Sequence, residues 1–242
     1  MNRNVPRHQL MIKRGIDLTV AALALAVLLP LLVLILTAIR ISMGKPAIYK
    51  QTRPGKDEKL FRLWKFRTMT YERDAQGKLL PDIERLTRVG LFLRKTSLDE
   101  LPQLINVLKG DMSLVGPRPL LVRYLGRYSA RQHLRHSVKP GLTGWAQVNW
   151  AEWAQIDGRE VSAWDARMEM DVWYAEHWSL WLDWKVLWLT AAALLSWNAV
   201  KAGKGEELDE FWGNEGIPVE GPQAVPVEED ESWAMKGGHG GI

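Results

Sequence analysis

The dominant feature of the hydrophobic pattern is a run from Leu18 to Ile39, 22 residues without a charge. That meets the roughly 20-residue length a helix needs to cross a bilayer. Pro30 lies near its middle, and basic side chains flank both ends, with Arg7, Lys13 and Arg14 before it and Arg40 and Lys45 after it. Positive flanks stay on the cytoplasmic side, and an interior proline removes a helix hydrogen bond and clashes with the preceding turn. The pattern therefore predicts a helix that breaks at Pro30 and returns to the side from which it entered. A straight span is the alternative, because proline is tolerated in spans. The run is too long for a cleaved signal, and no small-residue cleavage site follows it.

Beyond the run the period changes. Ile48 and Tyr49, the turn Arg53-Pro54-Gly55-Lys56 and the alternation from Leu60 to Phe66 predict a hairpin, in which Lys65 and Arg67 would point to one side. Tyr71 to Leu86 is polar, with Gly77 and Pro81, and predicts a loop. Leu101, Leu104, Ile105 and Leu108 return to helical spacing, with Gly110 as the stop. A start near Asp99 or Leu101 accommodates Pro102, whereas a capping box from Ser97 and Glu100 would bury that proline in the helix. Either start puts Asp99 and Glu100 in the first turn. Arg123 to His136 predicts a further helix, with Tyr124, Arg127, Arg131 and Arg135 at helical intervals. His133 and His136 stand three apart but have no third ligand nearby, so a surface or head-group role is expected of them.

Tryptophan adds a membrane signal. Ten of the 13 tryptophans fall between Trp145 and Trp197, and Trp178, Trp181, Trp184 and Trp188 recur every three to four residues. This suits rings seated at a lipid–water boundary, and Leu187 to Val200 predicts an amphipathic helix on that surface. A stripe buried in a core is the competing view. Residues 201–242, rich in acids, glycine and proline, predict a disordered tail.

Charge is polarised rather than balanced. From Arg40 to Lys139 there are 22 Lys or Arg against 9 Asp or Glu, whereas Gly205 to Ile242 has one Lys against 10 acids. A basic body suits anionic head groups and phosphorylated substrates. The absence of cysteine excludes disulfides and thiolate metal sites.

The chemistry gathers in Arg94-Lys95-Thr96-Ser97-Leu98-Asp99-Glu100 and in Gly116-Pro117-Arg118-Pro119. An Asp-Glu pair at a helix start is commonly a solvated cap. Here, however, two cations precede it, and adjacent helical residues point apart, so one carboxylate can attack while the other holds a cation. Arg94 and Lys95 offer charge to an anion. Gly116 permits close approach of backbone, and the two prolines stiffen the chain around Arg118, whose fork suits a pair of phosphate oxygens.

Four runs together resemble the bacterial sugar transferases, the monotopic polyprenyl-phosphate phosphoglycosyl transferases. They are Lys65-Phe66-Arg67-Thr68-Met69, Thr96 to Leu104, Gly110 to Pro119 and Pro140 to Asn149, and the similarity covers about residues 10 to 200. The resemblance implies a re-entrant helix-break-helix, although Leu29 stands where the family often has serine. It implies Lys65 and Arg67 as phosphate contacts, Pro140 to Asn149 as a substrate-side segment and Asp99 as the nucleophile of a covalent aspartyl intermediate.

The expected protein is α+β and mainly α. Residues 1–43 would form a membrane-associated re-entrant helix, 44–200 a catalytic domain with a small hairpin and amphipathic interfacial helices, and 201–242 the tail. With only a short stretch before Lys13, the multi-helix N-terminal domain of longer family members is not expected. The expected reaction moves a phosphosugar from a UDP-sugar to polyprenyl (undecaprenyl) phosphate, releases UMP and opens a surface-glycan pathway at the cytoplasmic face of a bacterial inner membrane. Mg²⁺ held by Glu100 and Asp99 is the expected cofactor. Membrane lipids, not nucleic acid, are the expected partners. A lipid-phosphate hydrolase using the same carboxylates and a non-catalytic lipid-binding scaffold are the alternatives from other classes.

Overall fold

The computed structural model describes residues 6–149 and 163–195. Its first element, α1, is a helix from Arg7 to Met43, about 55 Å long at 1.5 Å per residue. The break expected at Pro30 does not interrupt it. Pro30 removes one N–H from the helical ladder, while both halves of the helix gain contacts with a single folded body. On the N-terminal half, Lys13 donates to the Val115 carbonyl, Arg14 donates to the Val107 and Leu108 carbonyls, and buried Asp17 accepts from the Ser113 hydroxyl and the Leu114 N–H. Ala21, Ala24 and Leu25 then enter a core with Leu104, Met112 and Tyr174. Past Pro30, Leu31, Ile35, Ile39 and Met43 join a second core with Phe66, Leu93 and Leu101.

Much of the rest of α1 is apolar and faces outward, including Met11, Leu23, Val27, Leu34 and Ile41. Among the described residues it is the one helix long and apolar enough to cross a membrane. An exposed apolar surface of this extent marks contact with lipid or another apolar phase.

The predicted hairpin forms. Strands β1 (Ile48–Pro54) and β2 (Leu60–Phe66) pair antiparallel, with Tyr49 opposite Lys65 and Arg53 opposite Phe61. After a loop and the short helix α2 (Asp82–Arg85) come α3 (Arg88–Thr96) and α4 (Gln103–Lys109). Strand β3 (Ser113–Val115) pairs in parallel with β4 (Gly141–Thr143). Between them the single helix expected over Arg123 to His136 is replaced by shorter pieces: a 3₁₀ turn at Val122–Arg127, helix α5 at Ala130–His133 and a second 3₁₀ turn at Leu134–Ser137. Ser129 breaks the run by starting a helix of its own, with a capping box that it forms with Gln132.

The described chain closes with α6 (Ala163–His177) and α7 (Leu180–Leu195). The tryptophan stripe divides between the two readings of it. Trp178 is buried and donates to Asp183, which also accepts from Tyr174 and Lys13. Trp181, Trp184 and Trp188 are exposed along one face of α7. Residues 150–162 and the acidic tail at 201–242 lie outside the described residues. The architecture is thus mainly helical with a small hairpin, as expected, adds a second small sheet that was not, and is compatible with a monotopic membrane protein.

Candidate active site

The two carboxylates sit between helices rather than at the start of one. Helix α3 ends at Thr96, Ser97 adopts a left-handed conformation (φ 58°), and Leu98–Glu100 form a single 3₁₀ turn. Pro102 then stands just ahead of α4, where its missing N–H is harmless. This corrects the expected helix start. Leu98 and Leu101 anchor the turn in the second core, and Asp99 is buried with 8% of its surface exposed.

Two cations converge on Glu100 from distant parts of the chain. Lys65, near the end of β2, donates to Glu100 Oε1 at 2.8 Å. Arg118 takes the same carboxylate with both arms, Nη2 to Oε1 at 2.5 Å and Nη1 to Oε2 at 3.2 Å, the fork geometry that makes arginine–carboxylate pairs strong. Burial alone would raise the Glu100 carboxyl, but the Arg118 and Lys65 charges outweigh it and hold the group well below the usual carboxylate range. The Glu100 charge in turn raises Arg118, while burial lowers the Lys65 ammonium despite its carboxylate partner. Lys65 Nζ also lies 3.9 Å from Asp99 Oδ2. The result is one ionised carboxylate gripped by two cations with a second buried carboxylate beside it.

The turn that carries Arg118 is held from behind. The β3–β4 pairing brings Gly116 against the segment from Lys139 to Gly144, so closely that a Cβ on Gly116 would stand 2.2 Å from the Lys139 carbonyl oxygen. Arg135 donates to the Arg118 carbonyl at 2.7 Å and forms a fully buried ion pair with Asp171 of α6. The Pro140 to Asn149 run thus reaches the site through its glycines.

The other expected phosphate contacts lie elsewhere. Arg67 falls just past the end of β2 and is buried against the C-terminus of α1, donating to the Met43, Gly44 and Lys45 carbonyls. Arg94 turns to the Thr68 hydroxyl at 3.1 Å, and Lys95 is exposed on the last turn of α3. Nor are both histidines on the surface. His133 pairs with Glu58, but His136 is buried and stacks on Tyr128. Burial and the neighbouring Arg135 charge push His136 down to about 4.

Sequence reasoning missed Arg135 as the support of Arg118, together with its partner Asp171. Arg135 was visible only as one of several arginines at helical spacing. Its inward turn depends on a partner 36 residues away.

Among the described residues no three or more His, Asp or Glu side chains gather as a metal site. A hard cation such as Mg²⁺ needs only one or two protein carboxylates when substrate phosphates and water complete its shell. The adjacent Asp99 and Glu100 fit that donor set.

The chain matches the bacterial sugar transferase family over residues 8–197. It is 46% identical over 205 residues to the uncharacterized sugar transferase EpsL of Bacillus subtilis, covering 85% of this chain and 98% of that one. It is 44% identical over 186 residues to the UDP-glucose:undecaprenyl-phosphate glucose-1-phosphate transferase of Escherichia coli, covering 74% of this chain and 39% of that one. It is 37% identical over 190 residues to the UDP-N-acetylgalactosamine-undecaprenyl-phosphate N-acetylgalactosaminephosphotransferase of Aeromonas hydrophila, covering 76% and 44% respectively. The chain therefore spans less than half the length of the latter two relatives. With its match over residues 8–197 and a relative covered almost end to end, the chain belongs to the bacterial sugar transferase family of enzymes.

Proposed function

We propose that this chain transfers a phosphosugar from a UDP-sugar to a polyprenyl phosphate such as undecaprenyl phosphate, releasing UMP and forming a polyprenyl diphosphate sugar. The observation that carries this reading is the buried Asp99 beside a Glu100 that holds Lys65 and Arg118 together. Relatives whose names specify an undecaprenyl-phosphate acceptor and a UDP-sugar donor support it.

Both reactants are anions, and one is confined to the membrane, so splitting the transfer lets each meet the enzyme in turn. A carboxylate oxygen of Asp99 attacks the sugar-bearing phosphorus. The bond from that phosphorus to the bridging oxygen breaks, and UMP departs with the electron pair. A phosphate oxygen of the polyprenyl phosphate then attacks the same phosphorus and expels the Asp99 carboxylate, which returns to its starting form. No proton need move, because attacking and leaving groups are both oxyanions. Lys65 and Arg118 present N–H donors to the phosphoryl oxygens, where charge builds in the transition state. Asp99 and Glu100 are the residues that would hold Mg²⁺, which supplies further positive charge against those oxygens.

We infer that the protein works at the cytoplasmic face of a bacterial inner membrane, in the first membrane step of a surface glycan. Contact of both halves of α1 with one body supports a helix that stays on one side of the membrane with that body, because a helix leaving across the bilayer would carry one half away from it. The test is UMP release from a panel of UDP-sugars by purified protein in the presence of polyprenyl phosphate. At least one sugar should give lipid-dependent UMP, and Asp99→Asn should abolish it. Release of free sugar phosphate with no lipid product would instead indicate a hydrolase.

A further inference from the structure

We propose that Asn106 is a positioning residue for the transfer: its side-chain carboxamide fixes the origin of Lys65 on β2 relative to the Asp99–Glu100 turn that precedes α4. Its effect on rate rests on the phosphosugar-transfer reading above, while its hold on Lys65 follows from the hydrogen bonds alone.

Asn106 lies in the middle of α4 and is fully buried. Strand β1 covers one edge of β2, and among the described residues no third strand pairs with the other edge. That open edge meets a single side chain instead. Asn106 Nδ2 donates to the Arg62 carbonyl at 2.7 Å, and Asn106 Oδ1 accepts from the Trp64 N–H at 3.0 Å. One residue of a parallel strand would make the same pair of bonds with its own N–H and C=O. The backbone partners also fix which end of the amide is which, because a carbonyl needs a donor and an N–H needs an acceptor. Asn106 Nδ2 donates in addition to Asp111 Oδ2 at 3.1 Å. An ionised aspartate at this position would lack the donor, and a leucine would lack both groups.

Lys65 is the residue after Trp64. Its ammonium rides on a flexible aliphatic stem, so the 2.8 Å contact with Glu100 and the 3.9 Å approach to Asp99 depend on where the stem begins. Asn106 sets that point from the helix that starts just after the two carboxylates. Its backbone carbonyl meanwhile accepts from the Gly110, Asp111 and Met112 N–H groups. These bonds end α4 and turn the chain into β3, the strand that leads to Arg118. The segments that carry the carboxylates, Lys65 and Arg118 therefore meet at this residue. Any residue could supply the carbonyl, but only the carboxamide serves β2. A buried amide with its hydrogen-bonding groups engaged rigidifies what it joins, and at an active site a misplacement of about 1 Å lowers rates by roughly 10².

The test reads Lys65 directly, by competitive acetylation of the full chain in lipid nanodiscs followed by peptide mass spectrometry, with exposed Lys78 as the internal standard. Glu100→Gln, which frees the ammonium, sets the upper limit of labelling. Asn106→Ala should raise Lys65 labelling about threefold or more over the wild type, as expected for a lost hydrogen-bonded anchor. It should lower kcat for UMP release by about tenfold or more, with KM for the UDP-sugar within about threefold, because Lys65 meets charge that builds in the transition state. Val107→Ala removes buried packing from the same helix but no bond to β2; it should lower the unfolding temperature yet leave Lys65 labelling and kcat within about twofold. Asn106→Asp combined with Asp111→Asn is a gentler variant. It keeps the acceptor for the Trp64 N–H, restores a donor between positions 106 and 111, and leaves only the Arg62 carbonyl unserved. It should unfold close to the wild-type temperature, with Lys65 labelling between those of the wild type and Glu100→Gln. Lys65 labelling unchanged in both Asn106 variants, a shift in Val107→Ala as large as that in Asn106→Ala, or full kcat with Lys65 released would overturn the proposal. If no UDP-sugar is turned over while the labelling behaves as described, the reaction assignment fails and the placement of Lys65 by Asn106 stands.

Discussion

Replacing Asp171 with alanine isolates the support behind Arg118. The Arg135–Asp171 pair is the most deeply buried ion pair described, with side-chain exposures of 1% and 3%. Removing one partner leaves Arg135 as an uncompensated charge in the interior, which typically destabilises by roughly 3–5 kcal/mol. For a chain of this size each kcal/mol moves the unfolding midpoint by about 2–4 °C, so Asp171→Ala should unfold some 6 to 20 °C below the wild type. Arg135, the donor to the Arg118 carbonyl, loses the partner that fixes it at the same time, and the phosphate-facing fork loses its fixed origin. A pairwise swap separates charge from packing. Arg135→Met with Asp171→Leu replaces the buried pair by apolar volume and should recover most of the lost stability. It should not recover activity, since it removes the donor to the Arg118 carbonyl altogether. Nanoscale fluorimetry on the tryptophans gives the midpoints, and UMP release gives the activity. An unfolding midpoint for Asp171→Ala within 2 °C of the wild type, or full activity in the apolar double variant, would refute this account of how Arg118 is placed.

Three further expectations follow from other contacts. In Gly116→Ala the new Cβ must move about 1 Å away from the Lys139 carbonyl to reach an ordinary contact, and because misplacing a catalytic group by about 1 Å lowers rates by roughly 10², kcat/KM should fall by about that factor; a loss under threefold would contradict the close packing. His136 is neutral in the fold down to about pH 4, whereas in the unfolded chain it takes up a proton near 6.5. Stability should therefore decline as pH falls from 6.5 to 4, by about 3 kcal/mol in all, and His136→Gln should flatten that decline; an identical pH profile in the variant would remove His136 as its source. Single cysteines at His8 and Lys45 should both be labelled from the cytoplasmic side in inverted vesicles and neither from the outside of spheroplasts; external labelling of position 8 would show that α1 crosses the membrane.

The parts of this protein that could be read in advance are those governed by local rules. The apolar run, the hairpin alternation and the Gly110 stop each follow from spacing within a few residues, and the structure has all three. Asp99, Glu100 and Arg118 stood out because charges next to proline or a second carboxylate are unusual, Lys65 came from the family resemblance, and the structure brings these four together. Arg67 shows where the local rule ends. Alternation places it beside Lys65 only while the strand continues, but β2 stops at Phe66, and the unpaired carbonyls at the end of α1 then determine where the guanidinium goes. The position of the acidic pair between helices turned on the left-handed Ser97, which no periodicity reveals. Arg135 and Asp171, Lys13 and Asp183, and Arg14 with the end of α4 are joined across 36, 170 and 93 residues. Such pairings are products of the packed fold and leave no mark on either partner's neighbours in the chain.

The central claim is a covalent bond from Asp99 to the phosphosugar, and intact-mass spectrometry tests it most directly. Purified protein is mixed with a UDP-sugar that supports UMP release, with no polyprenyl phosphate present, and is quenched within seconds. The account predicts a new species heavier by one phosphosugar, together with a burst of UMP approaching one equivalent. Both should vanish in Asp99→Asn and persist in Lys95→Ala, and the added mass should disappear when polyprenyl phosphate is supplied. Absence of both adduct and burst in the wild type, with turnover only when donor and acceptor are bound together, would contradict the covalent route and make direct transfer the mechanism.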